Sequence, residues 1–371
     1  MKKKVIIFSE IKWNFLWQRH HEVTNFFLSK GHEVIFVERV ISRFPNIIEL
    51  MRRFLSTLNS SKHKKKLLSS NNLLKIKKSF FMPNTNMVFQ AWNFIYWYLF
   101  WRKLQRESLI YSFVDNPLVI GDNFDKIEIN RKIVFDVIHN WWKLPWNQKI
   151  HQRDCNKFLE YSHKVITDSP KMYEFLNNEK KIKNLHLMQP GVSSNWINKS
   201  SIENNEENLF YVLFFGNLRH NSDIEIFKIL SKDKRVKIHI FGMIHEKANH
   251  LLHIENIKYF GQVLPDEITN SLKNYQFVLL PYSKESFNDS LIPNKYYECC
   301  ATGMPILSNS RMSHLPKWHD FSYEIEEENV FMRLKNILQK HKYKKNEQID
   351  LASQNIWEKN LSQMYKFLLN D

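Results

Sequence analysis

Ile292-Pro293-Asn294-Lys295-Tyr296-Tyr297-Glu298-Cys299-Cys300-Ala301-Thr302-Gly303-Met304-Pro305 is the stretch on which the reading of this chain turns. Pro293 at its head and Gly303 at its foot mark the ends of a short helix: proline suits a helix start, and glycine accepts the left-handed backbone that stops one. Lys295 and Glu298 stand three residues apart and so share one helix face. The first turn of a helix also carries N–H groups without partners, which favour an anion. A lysine there can meet a diphosphate, and the glutamate one turn on can accept hydrogen bonds from ribose hydroxyls.

Outward from this helix the chain alternates apolar strands with helices. Before it come segments that read as strands at Leu209 to Phe215, Val236 to Phe241, Ile257 to Phe260 and Phe277 to Leu280, with a helix from Asp223 to Leu230; after it comes Pro305 to Ser308. The first half repeats the pattern: strand Lys3 to Phe8, helix Gln18 to Lys30 closed by Gly31, strand Glu33 to Glu38, then strands at Leu109 to Phe113, Lys132 to Phe135, His163 to Thr167 and Leu185 to Met188. Strand–helix–strand spacing of this kind gives a parallel, doubly wound sheet. At 371 residues the chain is too long for one ordinary core. The polar run Asn198 to Asn208 reads as a linker, so one α/β domain is expected over 1–197 and a second over 209–345. Apolar residues at helical spacing from Gln348 to Leu369 predict a closing helix within 346–371. In such sheets ligands lie beyond the carboxyl ends of the strands.

Composition narrows the class. A hydrophobic fraction of 43% is that of a soluble globular protein, and no apolar run is long enough to span a bilayer. Met1-Lys2-Lys3-Lys4 followed by Val5-Ile6-Ile7-Phe8 reads as a first buried strand and not as a signal peptide. Cys155, Cys299 and Cys300 have neither metal-ligand nor redox spacing; they read as small buried side chains in a reduced, cytoplasmic setting. The net charge of +16 is unevenly placed: between Glu49 and Glu107 no residue is acidic, while Arg52, Arg53, Lys62, Lys64–Lys66, Lys75, Lys77, Lys78, Arg102, Lys103 and Arg106 are basic. Trp92, Phe94, Tyr96, Trp97, Tyr98, Phe100 and Trp101 fall in the same interval. Cations beside Trp and Tyr suit an anionic membrane surface, so region 50–106 is expected to hold the protein peripherally on the inner face of the plasma membrane. The alternative is a solvated basic face beside a buried aromatic helix. Nothing of zinc-finger or RNP type supports nucleic acid as a partner.

The Pro293, Lys295 and Glu298 set resembles the nucleotide-sugar motif of GT-B glycosyltransferases, specifically glycosyltransferase family 4, in the form found among enzymes of bacterial surface-polysaccharide synthesis. The resemblance implies two facing Rossmann-like domains, with the last helix returning to the first domain. Phe214-Phe215-Gly216-Asn217-Leu218-Arg219 is similar to the family's strand and turn carrying a phosphate-binding basic residue. Donor contacts are thereby implied for Gly216, Asn217, Arg219, Lys295 and Glu298, and for Ser290, Leu291 and Ile292 leading into the helix. Arg219 and Lys295 would neutralise the diphosphate as it leaves, stabilising the transition state more than the ground state. The family's Glu, seven residues, Glu pattern keeps its second member at Glu298, but the first falls on Ser290.

Trp17-Gln18-Arg19-His20-His21 resembles the loop bordering the acceptor, which makes Arg19 and His21 acceptor contacts. Val134-Phe135-Asp136-Val137-Ile138-His139-Asn140-Trp141-Trp142 resembles a Tyr-Asp-x-x-Asp-x-Trp segment, with Asp136 at the first aspartate and His139 where a second acid is common. His139 could take a proton or bond a sugar hydroxyl, and Asp115, at another strand end, is a further polar candidate. The implied activity is transfer of a sugar from a nucleotide diphosphate-sugar to a lipid-linked or surface-polysaccharide acceptor, with retention of configuration. The nucleotide sugar is a co-substrate, and no cofactor or metal is implied; no Asp-x-Asp element is present. Rival readings are a GT-B epimerase or hydrolase of sugar nucleotides, and a non-catalytic nucleotide-sugar or polyanion binder.

Overall fold

The computed structural model describes residues 3–38, 73–82, 86–101, 108–115, 133–143, 148–197, 208–218, 222–282, 292–310 and 312–370. Arg219, Ser290, Leu291 and the basic run from Lys62 to Lys66 lie outside the described residues. The chain forms two compact units, residues 1–188 with 366–371, and residues 189–365.

The first unit is built on β1 (Lys4–Phe8), α1 (Arg19–Ser29), β2 (Glu33–Glu38), β3 (Leu74–Lys78), α2 (Met87–Phe100), β4 (Ser108–Ser112), β5 (Ile133–Val137), α3 (Gln148–Tyr161), β6 (Lys164–Thr167) and β7 (Leu185–Leu187). The strands form one sheet in the order β3-β2-β1-β4-β5-β6-β7, and every pairing is parallel. Val5, Ile6, Ile7 and Phe8 are all fully buried, which explains why β1 is apolar without alternation: both faces of a parallel sheet are covered. The order reverses between β1 and β4, so the ends of these two strands frame the position where a doubly wound sheet takes its ligand.

Two elements here bear on the sequence reading, one absent from it and one that departs from its alternative of a buried aromatic helix. β3 has no counterpart in the sequence reading, whose next strand after Glu38 begins at Leu109. Its Leu-Lys-Ile-Lys-Lys sequence pairs with β2 at the sheet edge, where lysines discourage pairing with another chain. The aromatic helix α2 is also not a core helix: only Asn93 and Trp97 along it are buried. Asn93 docks it, accepting from Met82 N and donating to Met82 O, each at 2.8 Å.

The second unit contains β8 (Phe210–Leu218), α4 (Glu225–Ser231), β9 (Val236–Ile244), β10 (Ile257–Gly261), β11 (Phe277–Leu279), α5 (Asn294–Thr302), β12 (Ile306–Leu307), β13 (Ser322–Tyr323), α6 (Val330–His341), α7 (Lys345–Gln354) and the start of α8 (Trp357–Leu369). Its sheet runs β10-β9-β8-β11-β12-β13, again all parallel, with the order reversing between β8 and β11. Val212 and Leu213 on β8 are fully buried and belong to opposite cores, one either side of the sheet.

The unit boundaries fall elsewhere than 197 and 346. Val192 bridges Ile356, Trp196 lies 4.9 Å from Phe215, and Gly191 leaves no room for a Cβ against Trp357, so 189–197 packs with the second unit. The same bridge breaks the expected single closing helix. Asn355 O accepts from Val192 N at 2.9 Å and Trp357 N donates to Val192 O at 3.1 Å, which takes two backbone groups out of helical bonding between α7 and α8. Residues 346–365 therefore belong with the second unit, and only 366–371 with the first. There Lys164 Nζ donates to Phe367 O and Asn370 O.

His341 joins α6 to α7. Its Nε2 lies 2.8 Å from Gln348 Oε1 and its Nδ1 lies 3.1 Å from the Tyr323 hydroxyl. Burial pushes its pKa down to about 4 from 6.5, against an upward pull from the Gln348 hydrogen bond. The folded pKa of this base is depressed, so between pH 6.5 and 4 the unfolded chain takes up a proton that the folded chain refuses. Stability should fall across that window as pH drops, by on the order of 3 kcal/mol from this group. Urea unfolding of His341→Gln at both ends of the window should show a correspondingly smaller loss than the wild type.

Candidate functional site

In the second unit the site is assembled around two glycines. Gly216 near the end of β8 and Gly242 on β9 are register partners, at φ +126° and +124°. Only glycine adopts that region without strain. A Cβ on Gly242 would stand 1.8 Å from Gly216 O, and a Cβ on Gly216 would stand 2.1 Å from Lys295 Cε. The bare backbone lets the Lys295 arm lie across the end of β8, its Nζ 4.6 Å above the Phe215 ring. Lys295 Nζ is 3.2 Å from Glu298 Oε2, and both side chains keep part of their surface open.

The helix ends behave as the sequence predicts, with one refinement. Gly303 is left-handed at φ 65°, while Pro293 sits just outside α5 as its cap residue. Tyr296, Tyr297, Cys299 and Cys300 on the opposite side of α5 are buried in the core, leaving Lys295 and Glu298 as the polar face. Burial pushes both cysteine thiols up, in line with inert core residues. Ile292 is a core residue by its side chain, 3% exposed, and Asn217 pairs with Met243 along β9.

In the first unit, polar side chains gather beyond the carboxyl ends of β1, β4, β5 and β6. Arg19 at the start of α1 is the centre of one group. Its Nε and Nη2 donate to Asp136 Oδ2 and Oδ1, each at 2.9 Å, and its Nη1 donates to Met188 O at 2.6 Å. Tyr111 Oη donates to Asp136 Oδ2 at 2.6 Å. Burial and the nearby Asp136 charge push the Tyr111 hydroxyl up, so it remains a donor. Asp168, beyond β6, is buried; desolvation lifts its pKa to about 7 against the pull of Arg19, and its Oδ1 has no partner. Arg19, Tyr111 and Asp136 therefore fasten α1 to β4, β5 and the end of β7.

A second group centres on Glu10, two residues past β1. Its Oε2 lies 3.4 Å from His20 Nε2, and its Oε1 lies 3.3 Å from His139 Nε2. Burial works to raise the Glu10 pKa, but the two imidazoles outweigh it and hold the carboxyl well below the usual carboxylate range. His139 and Glu10 remain partly open, at 35% and 27% exposure of the side chain. His20 is buried against Phe113, ring centroids 4.0 Å apart. Asp115, beyond β4, is paired with His151 Nδ1 at 2.5 Å and nearly closed off.

Three residues expected as acceptor contacts have protein partners here. Arg19, His21 and Asp136 are all buried, and each is hydrogen-bonded to other parts of the first unit. His21 is a cap: its Nδ1 accepts from Gln18 N at 3.1 Å and its Nε2 bonds Trp13 O at 2.8 Å, while burial pushes its pKa down to about 4. Of the residues expected in the first unit, His139 alone keeps an open polar face, and Asp115 is held by His151. Sequence reasoning singled out neither Glu10 nor Tyr111 nor Asp168 as part of a polar cluster, and saw His20 only within the loop before α1. The available signal was position: the two acids lie one and two residues past the ends of buried apolar strands.

Arg19→Met would leave Asp136 charged, wholly buried and without its cation. The expected loss is about 3–5 kcal/mol, measured by urea unfolding at neutral pH.

No family model and no curated protein matches the chain. Solved structures do match over its whole length. Sucrose-phosphate synthase from Thermosynechococcus elongatus aligns with a TM-score of 0.64 at 11% identity, covering 98% of either chain. Anabaena HepE, solved with UDP and glucose, aligns with a TM-score of 0.63 at 12% identity, also covering 98% of either chain. The lipopolysaccharide outer core galactosyltransferase WaaB aligns with a TM-score of 0.57 at 12% identity, covering 97% of this chain and 98% of its own. Two parallel-sheet α/β units of seven and six strands, matched to these proteins over nearly their full lengths, give the chain the GT-B fold.

Proposed function

We propose that the protein is a glycosyltransferase that moves a sugar from a nucleotide diphosphate-sugar to a hydroxyl of a lipid-linked or surface-polysaccharide acceptor. The observation that carries this reading is the Lys295 arm laid over Gly216, with Glu298 one turn along the same helix face. A cation at that strand end suits a diphosphate, and a carboxylate beside it suits ribose hydroxyls. The Lys295–Glu298 pair opens when the diphosphate takes the ammonium and the ribose takes the carboxylate. HepE, bound to UDP and UDP-glucose, and the galactosyltransferase WaaB share the fold, which makes a uridine diphosphate-sugar the first donor to try.

In the reaction, the acceptor oxygen bonds to the anomeric carbon as the carbon–oxygen bond to the diphosphate breaks. The diphosphate leaves with the bonding pair. Lys295 neutralises the charge that builds on it, together with Arg219 if that residue lies at the same phosphates. In a retaining reaction the departing phosphate oxygen can take the acceptor proton. Metal-free transfer is part of the same proposal.

Membrane association is the second element of the reading. Met87, Val88, Trp92, Ile95, Tyr98, Leu99 and Phe100 on α2 are exposed, and no acidic residue lies along the helix. Apolar and aromatic side chains on one helix, next to the lysines of β3, suit the headgroup region of an anionic leaflet. No described helix is long and apolar enough to cross a membrane, so the proposed contact is peripheral, on the cytoplasmic leaflet.

The donor site is tested by thermal unfolding with UDP and UDP-glucose. Saturating nucleotide at about 100 times Kd should stabilise the native state by about 2.7 kcal/mol, a rise of several degrees. Lys295→Ala should fold normally and lose the rise. Gly216→Ala should lose it too, by displacing the lysine. A Lys295→Ala protein that responds like the wild type would place the donor elsewhere. For the membrane, Trp92→Ser combined with Leu99→Ser and Phe100→Ser should weaken sedimentation with phosphatidylglycerol vesicles at least about tenfold, because each ring or aliphatic chain withdrawn removes on the order of 1 kcal/mol or more of apolar burial.

A further inference from the structure

Tyr259 stands in β10, at the edge of the second unit's sheet, and is 42% exposed. A tyrosine there can turn its hydroxyl to water. This one turns it back onto the main chain, donating to Gly242 O at 2.9 Å. Desolvation pushes the hydroxyl pKa up, so the group keeps its proton and stays a donor.

An irregularity in β10 accompanies this reach. Ile257, Lys258 and Tyr259 stand opposite Ile238, His239 and Ile240 of β9, but the next pair is Gly261 with Phe241, so Phe260 is an extra residue. A bulge of this kind bends its strand and re-aims the side chains beside it. Phe260 is held by stacking on Phe241, with ring centroids 4.5 Å apart and planes within 9°. The pairing of the two strands stops there, one residue short of Gly242. A backbone carbonyl needs a partner, and the Tyr259 hydroxyl supplies one to Gly242 where the ladder ends.

We propose that Tyr259 is a positioning residue of the donor site: its hydroxyl fixes the Gly242 peptide, Gly242 fixes the Gly216 carbonyl packed against it, and the bare backbone of Gly216 sets where the Lys295 ammonium meets a nucleotide diphosphate. Two close contacts carry the coupling. A Cβ on Gly242 would stand 1.8 Å from Gly216 O, and a Cβ on Gly216 would stand 2.1 Å from Lys295 Cε, so a shift at either glycine is felt by its neighbour. Glycine at φ +124° has a wide choice of backbone angles, and a hydrogen bond to its carbonyl selects one of them. Tyr259 acts through the lysine and makes no contact with the nucleotide. The proposal rests on the donor reading of Lys295 given above.

The test compares wild type, Tyr259→Phe, Lys295→Ala and the double variant. UDP affinity is read from tryptophan fluorescence, with titrations carried to millimolar UDP so that weakened complexes stay measurable. The thermal midpoint without nucleotide is recorded for each. Tyr259→Phe removes the hydroxyl and keeps the ring, so the fold is expected to persist. UDP should bind about three- to tenfold more weakly to Tyr259→Phe, the worth of one hydrogen bond. In the Lys295→Ala background the same change should alter UDP affinity by less than twofold, because the tyrosine acts through the lysine. A hydroxyl that supports the strand and nothing more would lower the midpoint and leave UDP affinity within twofold of wild type, and that result overturns the proposal. Additive losses in the double variant overturn it as well, since the tyrosine would then act on UDP without the lysine. The donor reading fails separately: a wild type that does not bind UDP, or a Lys295→Ala protein that binds it as tightly as the wild type, removes that reading and this proposal with it.

Discussion

The steric contact between Gly242 and Gly216 is the constraint on which the second unit's chemistry rests. A side chain at either position would be strained: at Gly242 a Cβ meets a carbonyl oxygen at 1.8 Å, and at Gly216 it meets the lysine arm at 2.1 Å, which would have to move. Their left-handed backbone leaves a shelf of bare main chain near the carboxyl ends of β8 and β9. Lys295 can use the shelf because α5 is anchored from its other side by tyrosines and cysteines packed in the core. Position, backbone freedom and the burial of the helix's far face are thus one arrangement, and each is needed for an ammonium to sit over a strand end.

The first unit solves the same geometric problem with ions. A buried ion pair costs desolvation that its own attraction barely repays, and it persists where further hydrogen bonds complete it. Arg19 and Asp136 have such completion from Met188 O and the Tyr111 hydroxyl. The pair locks the start of α1 over the ends of the central strands. Glu10 and His139, by contrast, keep part of their side chains open.

Much of the architecture could be read from the chain. The parallel strands announced themselves as short apolar runs ending in glycine, proline or a polar residue, and α5 by Pro293 and Gly303. The edge strand β3 escaped because three of its five residues are lysine, a composition that follows from having one side and one edge in water and not from pairing. The break at Asn355 escaped because the apolar spacing runs straight through it; a backbone bridge to Val192, more than 160 residues earlier, overrides local periodicity. Within the candidate sites, spacing alone put Lys295 and Glu298 on one helix face, as the structure has them. Arg19, His21 and Asp136 were rightly singled out as unusual, but spacing cannot say whether a polar side chain at a strand end faces outward or is spent on a neighbour. Glu10 and His20 could not be paired in advance with His139, since that contact joins residues more than a hundred positions apart.

The bridge between Val192 and Ile356 also shows how the polypeptide is threaded. The second unit is an insertion, entered at Gln189 and left at Tyr365, and its two ends are fastened together by Asn360 Nδ2 donating to Gln189 O at 3.1 Å as well as by the bridge. Its loop is therefore closed from within. The cost of bringing the ends together is met by its own hydrogen bonds, so it carries the requirements of an autonomous folding module, separable at a single entry-and-exit point. The first unit has the opposite character: residues 366–370 arrive only after the whole insertion has been synthesised, so the seat of Lys164 on Phe367 and Asn370 cannot form before the second unit has been made.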